Sequence, residues 1–184
     1  MLFYLLRPCG ISLVSKHAKI NASSIPLNGM PHLNYPLARD YILPFGKANI
    51  ILGADKNKIE NGETCAIITY GMGVYWAKAA AKKFNQQVEI VDLRTLYPLD
   101  ENLLLERIRL HGKCLIVTEE RQNNSFAEAL AGRISKHCFQ WLDAPVDVIG
   151  ALNLPAVPMN MILEKAMLPD AEKVAERIKN LLAN

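Results

Sequence analysis

The sequence has no sustained apolar run. Its most apolar terminus, Met1-Leu-Phe-Tyr-Leu-Leu6, is cut off by Arg7 and Pro8. A secretory signal needs a basic start and a longer apolar stretch, and a membrane helix needs about 20 residues. No membrane partner is expected. An excess of charge is also lacking, because the net charge is +3. Residues 1–50 hold Arg7, Lys16, Lys19, Arg39 and Lys47 against Asp40 alone, so the remainder is close to neutral and offers no basic stripe for phosphates. No nucleic acid is expected.

Cysteine is sparse. Cys9, Cys65, Cys114 and Cys138 form no C-x-x-C pair, and Cys65 and Cys114 sit inside apolar runs, where a thiol acts as a small buried hydrophobe. Free thiols fit a reducing, cytoplasmic setting. His17, His32, His111 and His137 are scattered, none at ligand spacing to a cysteine and none in H-E-x-x-H. The helix dipole accounts for His111 and His137, which fall late in helical stretches. A G-x-S-x-G elbow and a P-loop are absent as well, and there is no internal repeat.

What is present is regular alternation. Residues 1–47 carry Pro8, Gly10, Pro26, Gly29, Pro31, Pro36 and Pro44 without a period of 2 or 3.6, which reads as a tail or linker. From Thr64 onward, short apolar runs alternate with amphipathic segments. Strands are expected over residues 64–69, 88–92, 113–118 and 146–149. Helices are expected over residues 74–84, 100–110, 125–139 and 161–167, and from Asp170 onward. Asp100 and Asp170 are placed as N-caps, and Gly112 as a C-terminal stop. The last helix carries Val174, Ile178, Leu181 and Leu182 on one face. Apolar strands between amphipathic helices predict a three-layer α/β/α sandwich over residues 48–184, with a mostly parallel sheet of about five strands.

Ligands of open α/β sheets bind where strands give way to helices. Three such turns are candidates. At Thr69-Tyr-Gly-Met-Gly73, backbone N–H groups can hold an anion, or the glycines serve packing. In Asp92–Asp100, Arg94 can clamp a carboxylate or phosphate, or pair with Asp92 or Asp100 to order the loop. At Thr118–Arg121, Glu119 is a candidate general base, while Glu119 and Glu120 beside Arg121 also suit a solvated ion pair or a subunit contact. No catalytic, cofactor-binding or metal-binding residue is assigned. Arg94, Glu119, Glu120 and Asn124 are the candidate interface or loop-ordering residues.

Val88-Glu-Ile-Val-Asp-Leu-Arg-Thr-Leu-Tyr-Pro-Leu-Asp100 closely resembles the V-E-V-I-D-L-R-T-L-x-P-L-D segment of the β subunits of thiamine-diphosphate-dependent 2-oxo acid dehydrogenases. Four further segments fall in the family's order. They are Ile42-Leu-Pro-Phe-Gly-Lys-Ala48, Ala66-Ile-Ile-Thr-Tyr-Gly-Met72, Leu142-Asp-Ala-Pro-Val146 and Leu163-Glu-Lys-Ala-Met-Leu-Pro169. Leu13-Val-Ser-Lys-His17 is similar to the last strand of the preceding pyrimidine-binding domain, so residues 1–47 are expected to be its remnant. Two departures stand out. Asn123-Asn124-Ser125 replaces a glycine-rich stretch, and Asn153–Met159 replaces D-x-P-x-P-[YF]. Both resemble a subgroup in which the α and β parts are fused.

The resemblance implies a transketolase C-terminal-like domain that assembles with the thiamine-binding domains or subunit of its enzyme and with a lipoyl acyltransferase component. It also implies a homo-oligomer. Thiamine diphosphate and magnesium would belong to the complete enzyme and not to this part, whose sequence lacks the thiamine-binding G-D-G and N-N motif. The isolated chain is then expected to be inactive. Two alternatives remain open: the corresponding domain of a transketolase or deoxyxylulose phosphate synthase, and an independent small-ligand-binding α/β module.

Overall fold

The computed structural model describes residues 44–156 and 158–184. Five strands form one sheet in the order β1-β3-β2-β4-β5. They are β1 (Asn49–Leu52), β2 (Cys65–Thr69), β3 (Val88–Asp92), β4 (Cys114–Arg121) and β5 (Asp147–Ala151). β1 runs antiparallel to β3, and the other pairings are parallel. The helices are α1 (Lys56–Glu60), α2 (Gly73–Ala81), α3 (Glu101–His111), α4 (Phe126–Cys138), α5 (Met161–Met167) and α6 (Ala171–Leu182).

Strand alternation divides the core into two layers. Ile67, Ile90, Leu115 and Val117 face Ala77 and Ala80 of α2 and Val174, Ile178 and Leu181 of α6. Ile68, Val91, Cys114 and Ile116 face Leu104 and Ile108 of α3 and Leu130 and Ile134 of α4. β2 is buried along its whole length, which suits its apolar run from Cys65 to Ile68, and buried Thr69 satisfies its hydroxyl on the Val117 carbonyl oxygen. Ile178 is fully buried, and its truncation to alanine is expected to cost about 2–5 kcal/mol. This is the expected three-layer sandwich.

Helix ends follow local chemistry. Asp170 Oδ1 accepts from Lys173 N, and Ser125 Oγ accepts from Glu128 N. Gly112, at φ 67°, closes α3 in the left-handed conformation that glycine adopts without a Cβ clash. Asp100 departs from expectation. It holds the N-cap position, but its side chain makes no capping bond and instead accepts from Ala48 N at 3.1 Å, tying the entry of β1 to the start of α3.

β1 and α1 have no counterpart in the sequence expectations. β1 alternates half-buried and exposed residues on a sheet edge, and α1 spans five residues and buries none. β4 also runs past Thr118 to Arg121, carrying both glutamates on a strand that pairs irregularly with β5 between Val117 and Arg121. The readings of residues 1–43 lie outside the described residues.

Candidate functional site

The carboxyl edge of the sheet, where β2, β3 and β4 release the chain, brings the candidate turns together. After β2 the chain packs inward. A Cβ on Gly73 would meet the Val117 carbonyl oxygen at 2.7 Å, and Thr69 Oγ1 donates to that same oxygen at 2.9 Å. Gly73 N, Val74 N and Tyr75 N are taken by the carbonyls of Tyr70, Gly71 and Met72. These glycines therefore serve close approach of the backbone, and the first N–H groups of α2 are engaged locally.

Tyr70 and Thr118 seal the next position. Thr118 Oγ1 donates to the Tyr70 hydroxyl at 2.9 Å and accepts from Glu120 N at 3.1 Å. The Tyr70 ring meets Phe126 edge-on, with centroids 5.8 Å apart. Burial, above all, pushes the phenol well above its ordinary range, reinforced by the carboxylates of Glu120 and Glu119. A phenol held in this way is a structural donor and acceptor rather than an acid near neutrality.

Glu120 and Asn124 order the β4–α4 turn. Glu120 Oε2 accepts from Phe126 N at 3.2 Å, at the positive end of α4. Asn124 sits at φ 55°, and its N–H donates to Glu128 Oε2 at 2.5 Å. Asparagine tolerates that backbone better than most residues do, so the non-glycine stretch Asn123-Asn124-Ser125 still makes a tight turn. Glu119 stands apart from this network. It is exposed, and its carboxyl is raised by partial burial and by the neighbouring Glu120 charge. Neither Glu119 nor Glu120 forms an ion pair with Arg121, whose guanidinium reaches the Pro155 carbonyl oxygen at 3.4 Å.

Arg94 follows β3 with φ 57°. Asp92 Oδ1 accepts from the Arg94 backbone N–H at 3.0 Å, so the two residues are joined through the main chain and not through the guanidinium. Asp100 is engaged with Ala48 instead. Burial raises the Asp92 carboxyl, partly offset by the Arg94 N–H and charge.

At the opposite, amino edge of the sheet lies a cluster that the sequence reading missed. Glu89, 2% exposed, accepts from Arg107 Nε and Nη2, each at 2.5 Å. His111 Nδ1 lies 2.7 Å from Thr64 Oγ1, and His111 Nε2 lies 3.4 Å from Glu89 Oε1 without hydrogen-bonding geometry. Burial alone would raise the Glu89 carboxyl, but His111 and Arg107 outweigh it and hold the carboxyl below its ordinary range. His111 is therefore a core residue between two strands, and the helix dipole is not its explanation. A glutamate between the apolar residues Val88 and Ile90 of a strand, with an arginine downstream, was the available signal. Cys65, Cys114 and Cys138 are buried free thiols, and burial raises the first two far above the thiolate range.

A shallow cavity of about 200 Å³ opens beside the start of β5, lined by Pro145, Asp147, Arg177, Asn180 and Asn184, with Arg177 paired to Asp147 at 3.2 Å. Among the described residues no three His, Cys, Asp or Glu side chains gather to hold a metal ion. The carboxyl edge presents Glu119 to solvent, and the first N–H groups of α2, with Phe126 N and Glu128 N of α4, are already used. A carboxylate without two further oxygen ligands beside it does not fit a divalent ion held with a diphosphate. No helix among the described residues is long and apolar enough to cross a membrane.

The geometry has relatives. Residues 55–174 match the family described as transketolase, C-terminal domain. The 2-oxoisovalerate dehydrogenase subunit beta of Bacillus subtilis (strain 168) is 35% identical over 147 residues, covering 78% of this chain and 42% of that protein. The pyruvate dehydrogenase E1 component subunit beta of Rhizobium meliloti (strain 1021) is 31% identical over 147 residues, covering 78% and 30%. This chain thus spans less than half the length of these relatives. Among solved structures, one described as a split gene transketolase, inactive beta4 tetramer, superposes with a TM-score of 0.58 at 22% identity, covering 78% of this chain and 44% of that one. On the family match and the identity to the Bacillus subtilis subunit together, the chain belongs to the transketolase C-terminal domain family.

Proposed function

We propose that this chain is the C-terminal assembly part of the decarboxylating component of a 2-oxo acid dehydrogenase. In that enzyme, thiamine diphosphate and magnesium would be held by other regions and would carry the decarboxylation and acyl transfer to lipoyl groups. The role of this part is buried interface with the thiamine-binding regions, with further copies of itself and with the acyltransferase component. Residues 1–47 then lead in from the preceding domain.

One contrast carries the reading. The strand-to-helix corners after β2 and β4 are closed by their own hydrogen bonds. Beside them, Leu152 and Leu154 after β5 and Met159, Met161, Ile162 and Leu163 on and before α5 stand in solvent, Met161 at 82% and Ile162 at 78% exposure. Of α5, Met167 is the one buried residue. An apolar strip of this kind marks a covered surface rather than a reaction centre.

The full chain, supplied with thiamine diphosphate, magnesium and either pyruvate or a branched 2-oxo acid, is expected to release no carbon dioxide above background. Co-expression with the thiamine-binding polypeptide of the same organism is expected to give a stable complex by sedimentation. Turnover by the chain alone, abolished by Glu119→Gln, would overturn the proposal.

A further inference from the structure

Six arginines lie among the described residues, and five are engaged. Arg107 grips Glu89, Arg133 pairs with Glu101 and Arg177 with Asp147. Arg109 lies 4.6 Å over the Trp141 ring, and Arg121 reaches the Pro155 carbonyl oxygen. Arg94 is the exception. Its guanidinium makes no hydrogen bond or ion pair among the described residues, although the side chain is half-buried. Its charge is felt by the Asp92 carboxyl, but a cation that gives up part of its hydration without gaining a hydrogen bond is incompletely compensated.

The backbone at Arg94 points the same way. Its φ of 57° lies in the region where a Cβ crowds the following carbonyl, and glycine would avoid the strain. The surrounding loop enforces this conformation. Asp92 Oδ1 holds Arg94 N, Leu93 O holds Thr95 N, and Thr95 Oγ1 bridges Gly46 N and the Pro98 carbonyl. Strain kept in place by so many bonds, around a guanidinium that makes no hydrogen bond among the described residues, is the pattern of a residue preorganised for a contact of its own.

The neighbourhood identifies the class of partner. Tyr97, in the same loop, is 76% exposed, and Met72, in the adjacent turn, is 38% exposed. An arginine beside an exposed tyrosine is the composition of an interface anchor, and apolar flanks call for a macromolecular surface rather than a free anion. Asp92 already places one negative charge near Arg94, which favours a singly charged oxyanion over phosphate. The planar fork of arginine matches a carboxylate in two parallel bonds. We propose that Arg94 is an interface anchor that clamps a protein carboxylate on the adjoining thiamine-binding part of the enzyme. This rests on the assembly reading and names the contact within it.

Phenylglyoxal labelling, read by peptide mass mapping on the full chain, tests the clamp. Arg94 is expected to react rapidly in the isolated chain and to be protected several-fold in the complex with the co-expressed thiamine-binding polypeptide. Inorganic phosphate or acetate alone is expected to leave it reactive. Arg94→Gln is expected to weaken association by about tenfold or more while leaving the melting temperature of the isolated chain unchanged, and Arg94→Lys is expected to restore part of the loss. A complex that forms with Arg94 still reactive overturns the clamp and leaves the assembly reading standing. Protection by phosphate in the isolated chain overturns the protein carboxylate in favour of a free anion. Failure of the chain to associate at all overturns both.

Discussion

β3 ends differently at its two edges. At the amino side, Glu89 meets Arg107 and His111 inside the core, and its carboxyl is held down. Three residues later, at the carboxyl side, Asp92 accepts from the Arg94 N–H and feels the Arg94 charge, its carboxyl is still pushed up by burial, and the Arg94 guanidinium makes no hydrogen bond or ion pair among the described residues. Both ends pair an acid with an arginine in sequence. One pair is closed by the chain itself, and the other is left open. A buried ion pair contributes little net stability but is costly to break, so the amino edge locks α3 to the sheet. The carboxyl edge holds its charge available. The difference separates what the domain needs in order to fold from what it offers to a partner.

The largest expected effect breaks the closed end. Arg107→Ala leaves Glu89 as an unpaired buried charge, which is expected to cost about 3–5 kcal/mol and to appear as a lower urea midpoint with little change in slope. Arg94→Ala, the matching change at the open end, is expected to alter the unfolding free energy by less than about 1 kcal/mol. Equal losses from the two substitutions would erase the distinction between the edges.

The sequence shows the closed end and the open end unequally. Strand and helix periodicity placed β2, β3 and α2 to α6 because their buried faces repeat along the chain, as Val174, Ile178 and Leu181 do on α6. β1 escaped because an edge strand with one face in water carries no continuous apolar run, and α1 because a five-residue helix without a buried face has no period to detect. The Glu89 cluster joins residues 18 to 47 positions apart, so its members looked like a strand glutamate, a surface arginine and a helix-end histidine. The carboxyl edge was more legible. Arg94 and Asn124 fall on strand-to-helix turns and Glu119 and Glu120 at the end of β4 just before one, and turns are found from the breaks between periodic segments. What the sequence hid was which of their side chains are hydrogen-bonded: Glu120 accepts at the start of α4, while the Arg94 guanidinium bonds to nothing among the described residues.

Acid titration sharpens the contrast because the two carboxyls act in opposite directions. The Glu89 value lies below its ordinary 4.5 in the folded chain. Its contribution is present above 4.5 and is lost as pH falls through the lower folded value, where the unfolded chain takes up the proton first. The Asp92 value lies above its ordinary 3.8. Its contribution is full below 3.8 and is lost as pH rises through the folded value, because the folded chain keeps that proton longer. Thermal midpoints across the acid range should therefore separate the variants. Glu89→Gln is expected to remove part of the loss on the acid side, and Asp92→Asn to remove part of the loss on the rising side. Two variants shifting the profile in the same direction would show that both carboxyls sit in the same kind of environment.

The smallest effect is the most diagnostic for Arg94. Relief of left-handed strain at φ 57° favours Arg94→Gly by about 1–2 kcal/mol, and the added freedom of glycine in the unfolded chain takes back roughly 0.5–1 kcal/mol. A net gain between zero and about 1.5 kcal/mol is expected, seen as a small rise in melting temperature. Asn124→Gly provides the comparison. Its φ is nearly the same, but asparagine already tolerates it and its N–H is fixed by Glu128, so the gain there should be smaller still. A fall in stability for Arg94→Gly would mean that the guanidinium already stabilises the isolated chain, and the carboxyl end of β3 would then be closed like the amino end. A rise means that this position gives up stability for the sake of its side chain, as the proposed contact with a partner requires.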